Sequence, residues 1–94
     1  MSTRAEDSPP FDVEKPYRLP EHVSVRPEGF GALLYDHRTR RLLFLKGDVL
    51  PSVVERLGDF PSAGAAVAGL EPPERRAVLG ALRRLADRGL IECR

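Results

Sequence analysis

Four apolar residues in a row, Leu42 to Leu45, interrupt the hydrophobic pattern of this chain within the stretch RRLLFLKGDVL. A strand that faces the core on one side and water on the other alternates apolar and polar residues. This run does not alternate. It therefore predicts either a strand that the domain covers on both faces, or a strand that another molecule covers.

Four β-like runs precede the helical part of the sequence: YRL, VSVRP, GALLYD and RLLFLK. Gly29 and Gly31 predict one turn, and the stretch Asp36–Thr39 predicts another. Three strands joined by short turns form an antiparallel meander. In that arrangement the strand Arg41–Lys46 comes last and lies at an edge of the sheet.

After Lys46 the apolar period changes to that of a helix. The first predicted helix has Asp48 as its N-cap and ends at Gly58. Its apolar residues recur at i, i+3, i+4 and i+7: Leu50, Val53, Val54 and Leu57. A second, shorter helix is predicted from Ser62 to Gly69.

The third predicted helix runs from Pro73 to Arg88, and Gly89 follows it as a C′ glycine. One apolar stripe along it predicts the face toward the core: Val78, Leu79, Leu82, Leu85 and Ala86. The final residues, LIECR, either add a short strand or dock on the domain. The order of elements predicts an α+β fold, a three-stranded antiparallel sheet followed by three helices, with a winged-helix-like arrangement.

A second stripe on the third helix consists of Ala77, Ala81, Arg84 and Arg88. Small residues allow another backbone to approach, and arginines offer paired donors to carboxylates. An ordinary solvated face that contains two alanines for their helix propensity fits the same spacing. The pattern leaves both interpretations open.

The chain has 94 residues, which is enough for one domain with one core. Residues 1–16 are polar and contain three prolines, so we expect a disordered acidic tail there and a folded domain over residues 17–94. The formal net charge is +1, but the charge is unevenly distributed. Residues 38–46 carry Arg38, Arg40, Arg41 and Lys46 without an acid.

The chemistry-bearing residues do not favour an enzyme. Cys93 is a single thiol, and neither His22 nor His37 stands at metal-ligand spacing with another ligand. No nucleophile or phosphate-binding motif occurs. We therefore expect no catalytic activity, no cofactor and no metal.

The longest apolar runs are far shorter than a membrane span, and no signal pattern opens the chain. These two features predict a cytoplasmic protein with no membrane partner.

Two binding functions fit these elements. Three helices with arginines on the last one are typical of a winged-helix DNA-binding regulator. That helix lacks the Asn, Gln, Ser or Thr residues that read base edges, and the charge of the whole chain is nearly balanced, so nucleic acid is the weaker candidate. An apolar edge strand flanked by Arg40, Arg41 and Lys46 instead indicates a docking edge for an extended peptide. A strand covered by the first helix remains the third possibility.

The stretch VRPEGFGALLYDHRTRRLLFLK, Val25–Lys46, resembles the mycofactocin biosynthesis chaperones, which are related to the peptide-recognition domain of pyrroloquinoline quinone biosynthesis. The order of three strands and three helices agrees with that family over roughly residues 17–92. The resemblance implies a protein that binds the leader of a ribosomally made precursor peptide. It also implies a second partner, a radical SAM maturase, which holds the iron-sulfur clusters and modifies the C-terminal tyrosine of the precursor.

In such domains the leader adds as a strand beside the third strand and lies between it and the third helix. The resemblance therefore implies a peptide-binding site in two parts, with the acidic leader facing basic residues at the rim. The strand part comprises Arg40, Arg41, Leu42, Leu43, Phe44, Leu45 and Lys46. The helix part comprises Ala77, Ala81, Arg84 and Arg88. Which parity of the strand faces the groove stays open.

Overall fold

The computed structural model describes residues 10–94, in which a three-stranded sheet is followed by three helices and the two ends form a short ribbon. The strands are β1 (Tyr17–Arg18), β2 (Val23–Glu28), β3 (Gly31–Asp36), β4 (Arg41–Lys46) and β5 (Glu92–Cys93). The helices are α1 (Val49–Glu55), α2 (Ala63–Val67) and α3 (Pro72–Asp87). The α+β fold predicted from the sequence is confirmed.

The sheet is an antiparallel meander with the order β2-β3-β4, so β3 is central and β4 lies at an edge, as predicted. The register places Leu34 between Val25 and Leu43, and it places Leu33 between Arg26 and Phe44. Because side chains alternate across a strand, the first row faces one side of the sheet and the second row faces the other. We call these the inner face and the outer face.

The helices cover the inner face of the sheet, and the core forms between them. The buried cluster includes Leu34 and Leu45 of the sheet together with Val54 of α1 and Val67 of α2. From α3 it includes the predicted stripe residues Val78, Leu82 and Leu85, while Leu79 and Ala86 are half-buried beside it. Burying apolar surface at about 25 cal/mol per Å² is the main contribution that holds this sheet on its helices.

The helix ends differ from the predicted ones at the first two helices. The first helix ends at Glu55 rather than at Gly58, because Arg56 leaves the helical region and Leu57–Asp59 forms a 3₁₀ turn. Asp48 occupies the N-cap position, but its side chain accepts no capping hydrogen bond. The second helix begins as predicted after Ser62, whose hydroxyl accepts from the amide of Ala65 at 3.0 Å, and it ends at Val67.

The third helix ends as the sequence predicts. Gly89 adopts a φ of +74°, in the left-handed region that favours glycine. The amide of Gly89 donates to the carbonyl of Ala86, and the amide of Leu90 donates to that of Leu85. These two bonds form a Schellman motif. The chain then turns into β5, so LIECR supplies a short strand that pairs with β1.

The disordered tail predicted for residues 1–16 begins in residues 1–9, which lie outside the described residues. From Pro10 the chain runs along α2. The amide of Gly64 donates to the carbonyl of Val13 at 2.8 Å, and the amide of Ala63 donates to that of Lys15 at 2.9 Å. The Phe11 ring packs on the ring of Tyr17 with centroids 4.9 Å apart.

Candidate functional site

The two faces of β4 have different surroundings. Leu43 and Leu45 face the core, and Leu45 is 4% exposed. Leu42 and Phe44 point to the outer face and are 62% and 48% exposed. The Phe44 ring lies against β3, where a Cβ at Gly31 would be only 2.9 Å from Phe44 Cζ. The strand therefore lacks alternation because the domain covers its inner face and, within residues 10–94, leaves its outer face open.

The free edge of β4 can be assigned residue by residue. The amide of Gly47 donates to the carbonyl of Phe30, which is its opposite residue in the β3–β4 register. Because hydrogen-bonded and non-hydrogen-bonded pairs alternate in an antiparallel ladder, the odd-numbered residues of β4 bond to β3. The backbone N–H and C=O groups of three residues consequently point away from the sheet: Leu42, Phe44 and Lys46. Within residues 10–94 these groups have no other hydrogen-bond partner.

The turn before β4 is organised by the buried carboxylate of Asp36. Its Oδ1 accepts from the amides of Arg38 at 2.9 Å and of Thr39 at 3.3 Å. Burial raises the pKa of Asp36, but these two amides, the Thr39 hydroxyl and the neighbouring His22 together hold that pKa below its ordinary value of 3.8. Arg40, at the end of the turn, adopts a φ of +63°.

Two of the predicted site residues, Arg40 at the end of the turn and Arg41 at the start of β4, are exposed to solvent. Lys46 is exposed at the other end of β4. Within residues 10–94, none of these three side chains forms an ion pair. Their charges are therefore free to attract an acidic partner along the edge strand.

The four residues of the α3 stripe also lie at the surface. Ala77, Arg84 and Arg88 are exposed, and Ala81 is half-buried. Successive helical residues point about 100° apart, so Arg83 lies on another side of the helix from Arg84. The Arg83 guanidinium stands 6.0 Å from the ring centroid of Phe11. The segment that begins at Pro10 thus packs beside a different side of α3 and leaves the stripe accessible in the described residues.

The strand and helix parts of the predicted site surround a shared core. Leu45 belongs to the same apolar cluster as the buried face of α3, and the half-buried Leu43 packs against that cluster. Helix α1 packs against both β4 and α3. Within residues 10–94, no hydrogen bond or ion pair joins a β4 residue to an α3 residue. The joint role of the two parts in binding a peptide stays a prediction.

Sequence reasoning missed an apolar surface on the outer face of the sheet. Leu33 and Tyr35 of β3 lie beside Phe44 and Leu42 of β4 on that face. Phe30, in the turn between β2 and β3, is 84% exposed. By the alternation along β3, Phe30 is not in the outward row, but it adjoins that row through Gly31, where a Cβ would lie 2.9 Å from Phe44 Cζ. We call Leu33, Tyr35, Leu42 and Phe44, together with Phe30 in the adjoining turn, the outer patch. Its sequence signals are the absence of polar residues at the outward positions of GALLYD and the isolated Phe30 between two glycines.

A cleft between α1 and α2 was not predicted either. It has a volume of about 450 Å³, and its lining includes Asp48, Ser52, Arg56, Phe60 and Leu70. The Arg56 guanidinium lies 5.7 Å from the ring centroid of Phe60. None of the predicted peptide-binding residues lines this cleft.

A metal-ligand cluster and a membrane-spanning helix are both absent from residues 10–94. Those residues contain no group of three or more His, Cys, Asp or Glu side chains placed to hold a metal ion. None of their helices has the length and apolar character that crossing a membrane requires. Cys93 is an exposed free thiol in β5.

Comparison with known proteins identifies the family. The family model described as the peptide chaperone MftB family matches residues 16–92. The chain belongs to this family. The resemblance seen in Val25–Lys46 is therefore confirmed, and it extends through the helices. No solved structure matches the chain with significance.

Three curated relatives are similar in sequence to this chain over most of their length. A peptide chaperone MftB of Mycobacterium tuberculosis is 41% identical over 90 residues, which cover 94% of this chain and 83% of the relative. One of Mycolicibacterium smegmatis is 40% identical over 93 residues, with 97% and 91% covered. One of Mycobacterium ulcerans is 45% identical over 83 residues, with 86% and 76% covered. These relatives are named as peptide chaperones and not as enzymes, and a chaperone of this family has a peptide as its partner.

Proposed function

We propose that this chain binds, in the cytoplasm, the leader of a ribosomally synthesised precursor peptide, and presents that peptide to a radical SAM maturase in mycofactocin biosynthesis. The leader adds as a fourth strand along β4. The observation that supports this mode of binding is the free edge, where the backbone groups of Leu42, Phe44 and Lys46 point away from β3. Strand addition uses such groups for affinity and side-chain pockets for specificity.

Alternate side chains of an added strand continue the two faces of the sheet. Those on the inner side lie next to Leu43 and Leu45, toward the small residues Ala77 and Ala81 of α3. Burying each apolar leader side chain there contributes about 1.5–3 kcal/mol, and each backbone hydrogen bond adds about 1 kcal/mol net. These contributions offset the ordering of a flexible peptide, and micromolar binding requires about 8 kcal/mol in total.

The basic residues around this groove fix the register of an acidic leader. Arg40 and Arg41 stand at one end of β4, and Lys46 stands at the other. Arg84 and Arg88 lie along the exposed stripe of α3. Exposed ion pairs contribute about 0.2–1 kcal/mol each, so these residues select an acidic partner more than they supply the affinity.

Calorimetric titration with the short acidic peptide encoded beside this gene tests the proposal. We expect saturable binding in the micromolar range, weakened about fivefold by Arg84→Glu, which corresponds to about 1 kcal/mol. The matched control is Arg76→Glu, because Arg76 is also exposed on α3 but points away from the stripe. No heat at several hundred micromolar peptide, or equal losses in both variants, contradicts the site. Salt-sensitive binding of duplex DNA in place of the peptide supports the regulator alternative.

A further inference from the structure

The outer patch has the size and composition of an interface. Aromatic side chains bury about 150–250 Å² each, so the exposed fractions of Phe30 (84%) and Phe44 (48%) together leave roughly 200–330 Å² of ring surface in water. Leu42, 62% exposed, adds to the same surface. Contiguous apolar patches of a few hundred Å² on small proteins mark interaction sites, and aromatic residues are enriched in interface cores.

Basic residues surround the patch. Arg26 and Lys46 border it on the outer face, and Arg38 and Arg40 occupy the turn at its end. The acidic residue on this border is Glu28, which pairs with Arg26 at 3.3 Å. The patch therefore presents an apolar centre with a basic rim.

The positive charge of the rim distinguishes between two partners that could bind the outer patch, a second copy of this chain and a different protein. A symmetric dimer through this face would bring the same arginines and lysine opposite one another, which disfavours a second copy of the chain. A folded protein with an apolar centre ringed by carboxylates has the complementary chemistry.

We propose that the outer patch is the surface on which the enzyme that modifies the bound peptide docks, through an apolar region rimmed by acidic residues. This inference rests on the proposed function. A leader strand paired with Leu42, Phe44 and Lys46 extends the sheet by one strand, and its outward side chains lie next to the outer patch. The enzyme then contacts the chaperone and its substrate on one continuous surface, and it binds the loaded chaperone more tightly than the empty one.

The test compares two double variants of the full chain. Phe30→Ser with Arg26→Glu changes the outer patch and its rim, two residues that lie away from the free edge of β4. Val13→Ser with Arg76→Glu makes changes of the same kind, apolar to polar and basic to acidic, on surfaces outside the sheet, where Val13 is 38% exposed. The probe is the radical SAM enzyme from the same gene neighbourhood, titrated with each variant in the presence of saturating precursor peptide.

We expect the outer-patch variant to bind the enzyme at least tenfold more weakly, and the control variant to bind it within twofold of the wild type. All three proteins should bind the peptide alone with affinities within twofold of one another. Equal enzyme affinity for all three, or equal loss in both variants, overturns the docking surface.

Two further measurements on the wild type and the outer-patch variant test other occupants of the outer patch. Binding of the wild type to vesicles of phosphatidylcholine and phosphatidylserine, lost in the outer-patch variant, assigns the patch to a membrane and overturns the proposal. A wild-type dimer in sedimentation, dissociated by the same variant, assigns it to self-association and also overturns it. If the wild type fails to bind the peptide but binds the enzyme through the patch, the leader-binding function fails while the docking surface stands.

Discussion

Asp36 shows at the scale of one residue how a buried charge shapes the edge strand. Its side chain lies on the inner face among apolar residues, at 3% exposure. The amides of Arg38 and Thr39 donate to its carboxylate, and the amide of Arg40 donates to its backbone carbonyl at 2.7 Å. An aspartate that satisfies nearby amides in this way fixes a tight turn. The buried carboxylate of Asp36 therefore closes the turn before β4.

The lowered pKa of Asp36 predicts how stability depends on pH. A carboxyl group whose folded pKa lies below its unfolded value stabilises the fold above that unfolded value, here 3.8, and loses the contribution as pH falls through the folded pKa. We expect Asp36→Asn to be less stable than the wild type in urea melts at about pH 7. The difference should narrow at acid pH, as the pH falls through the lowered pKa of Asp36 and the wild-type carboxyl becomes protonated.

The control for this prediction is Asp59→Asn, since Asp59 is exposed and accepts no side-chain hydrogen bond among those within residues 10–94. This variant should follow the wild type at both pH values. A difference between Asp36→Asn and the wild type that stays constant from neutral to acid pH would show that the carboxylate charge does not stabilise the turn.

At the scale of the elements, β4 shows which part of the site the sequence determines. The non-alternating run Leu42–Leu45 predicts a strand whose two faces are both covered, by the domain or by another molecule. The meander places this strand at an edge of the sheet. The choice between Leu43 with Leu45 and Leu42 with Phe44 depends on register. A shift of one residue would exchange the faces, and four consecutive apolar residues give no local signal to select between them. The register in the structure makes Leu42 and Phe44 the outward pair.

The assignment of the free edge leads to a prediction for Phe44. Proline at this position removes an N–H that points away from β3, so the β3–β4 ladder remains intact. Phe44→Ala removes the same ring but retains the N–H. We expect Phe44→Pro to bind the leader about threefold to tenfold more weakly than Phe44→Ala, which is the loss of one hydrogen bond of about 0.5–1.5 kcal/mol.

Calorimetry with the precursor peptide measures this difference, and circular dichroism melts check that both variants fold. Leu43→Pro is the opposite case, because its N–H bonds to β3, and it should destabilise the sheet itself. Equal leader affinity for Phe44→Pro and Phe44→Ala would mean that the peptide does not pair with the backbone at this edge.

At the scale of the whole molecule, local signals specify the elements better than they specify contacts between distant segments. Ser62 and Gly89 mark helix ends through hydrogen bonds made within a few residues, and their predicted roles are confirmed. The helix stripe Ala77, Ala81, Arg84 and Arg88 can be seen in the sequence, but its distance from β4 depends on how α1 packs against both elements. A periodic pattern contains no such information.

The path of residues 10–16 is another property of the whole molecule. Their composition is polar, and the partners that hold them are the start of α2 and the C-terminal end of the chain. The amide of Arg94 donates to the carbonyl of Pro16 at 3.0 Å, and the amide of Asp12 donates to the Tyr17 hydroxyl at 2.9 Å. This segment therefore connects the N-terminal part of the domain to the start of α2 and to Arg94, which follows the last strand.

Phe11 is the apolar anchor of that segment, and its removal should affect the stability of the whole domain. The ring packs on Tyr17 and lies beside Arg83 of α3. Because it is half-buried, we expect Phe11→Ala to lower the free energy of unfolding by about 1–2 kcal/mol and Tm by roughly 5–15 °C. Val13→Ala is the control: its more exposed side chain is shortened while its carbonyl still accepts from Gly64, so Tm should change by no more than a few degrees. Thermal melts of the wild type, Phe11→Ala and Val13→Ala measure this difference. Equal Tm values would mean that residues 10–16 contact the domain without stabilising it.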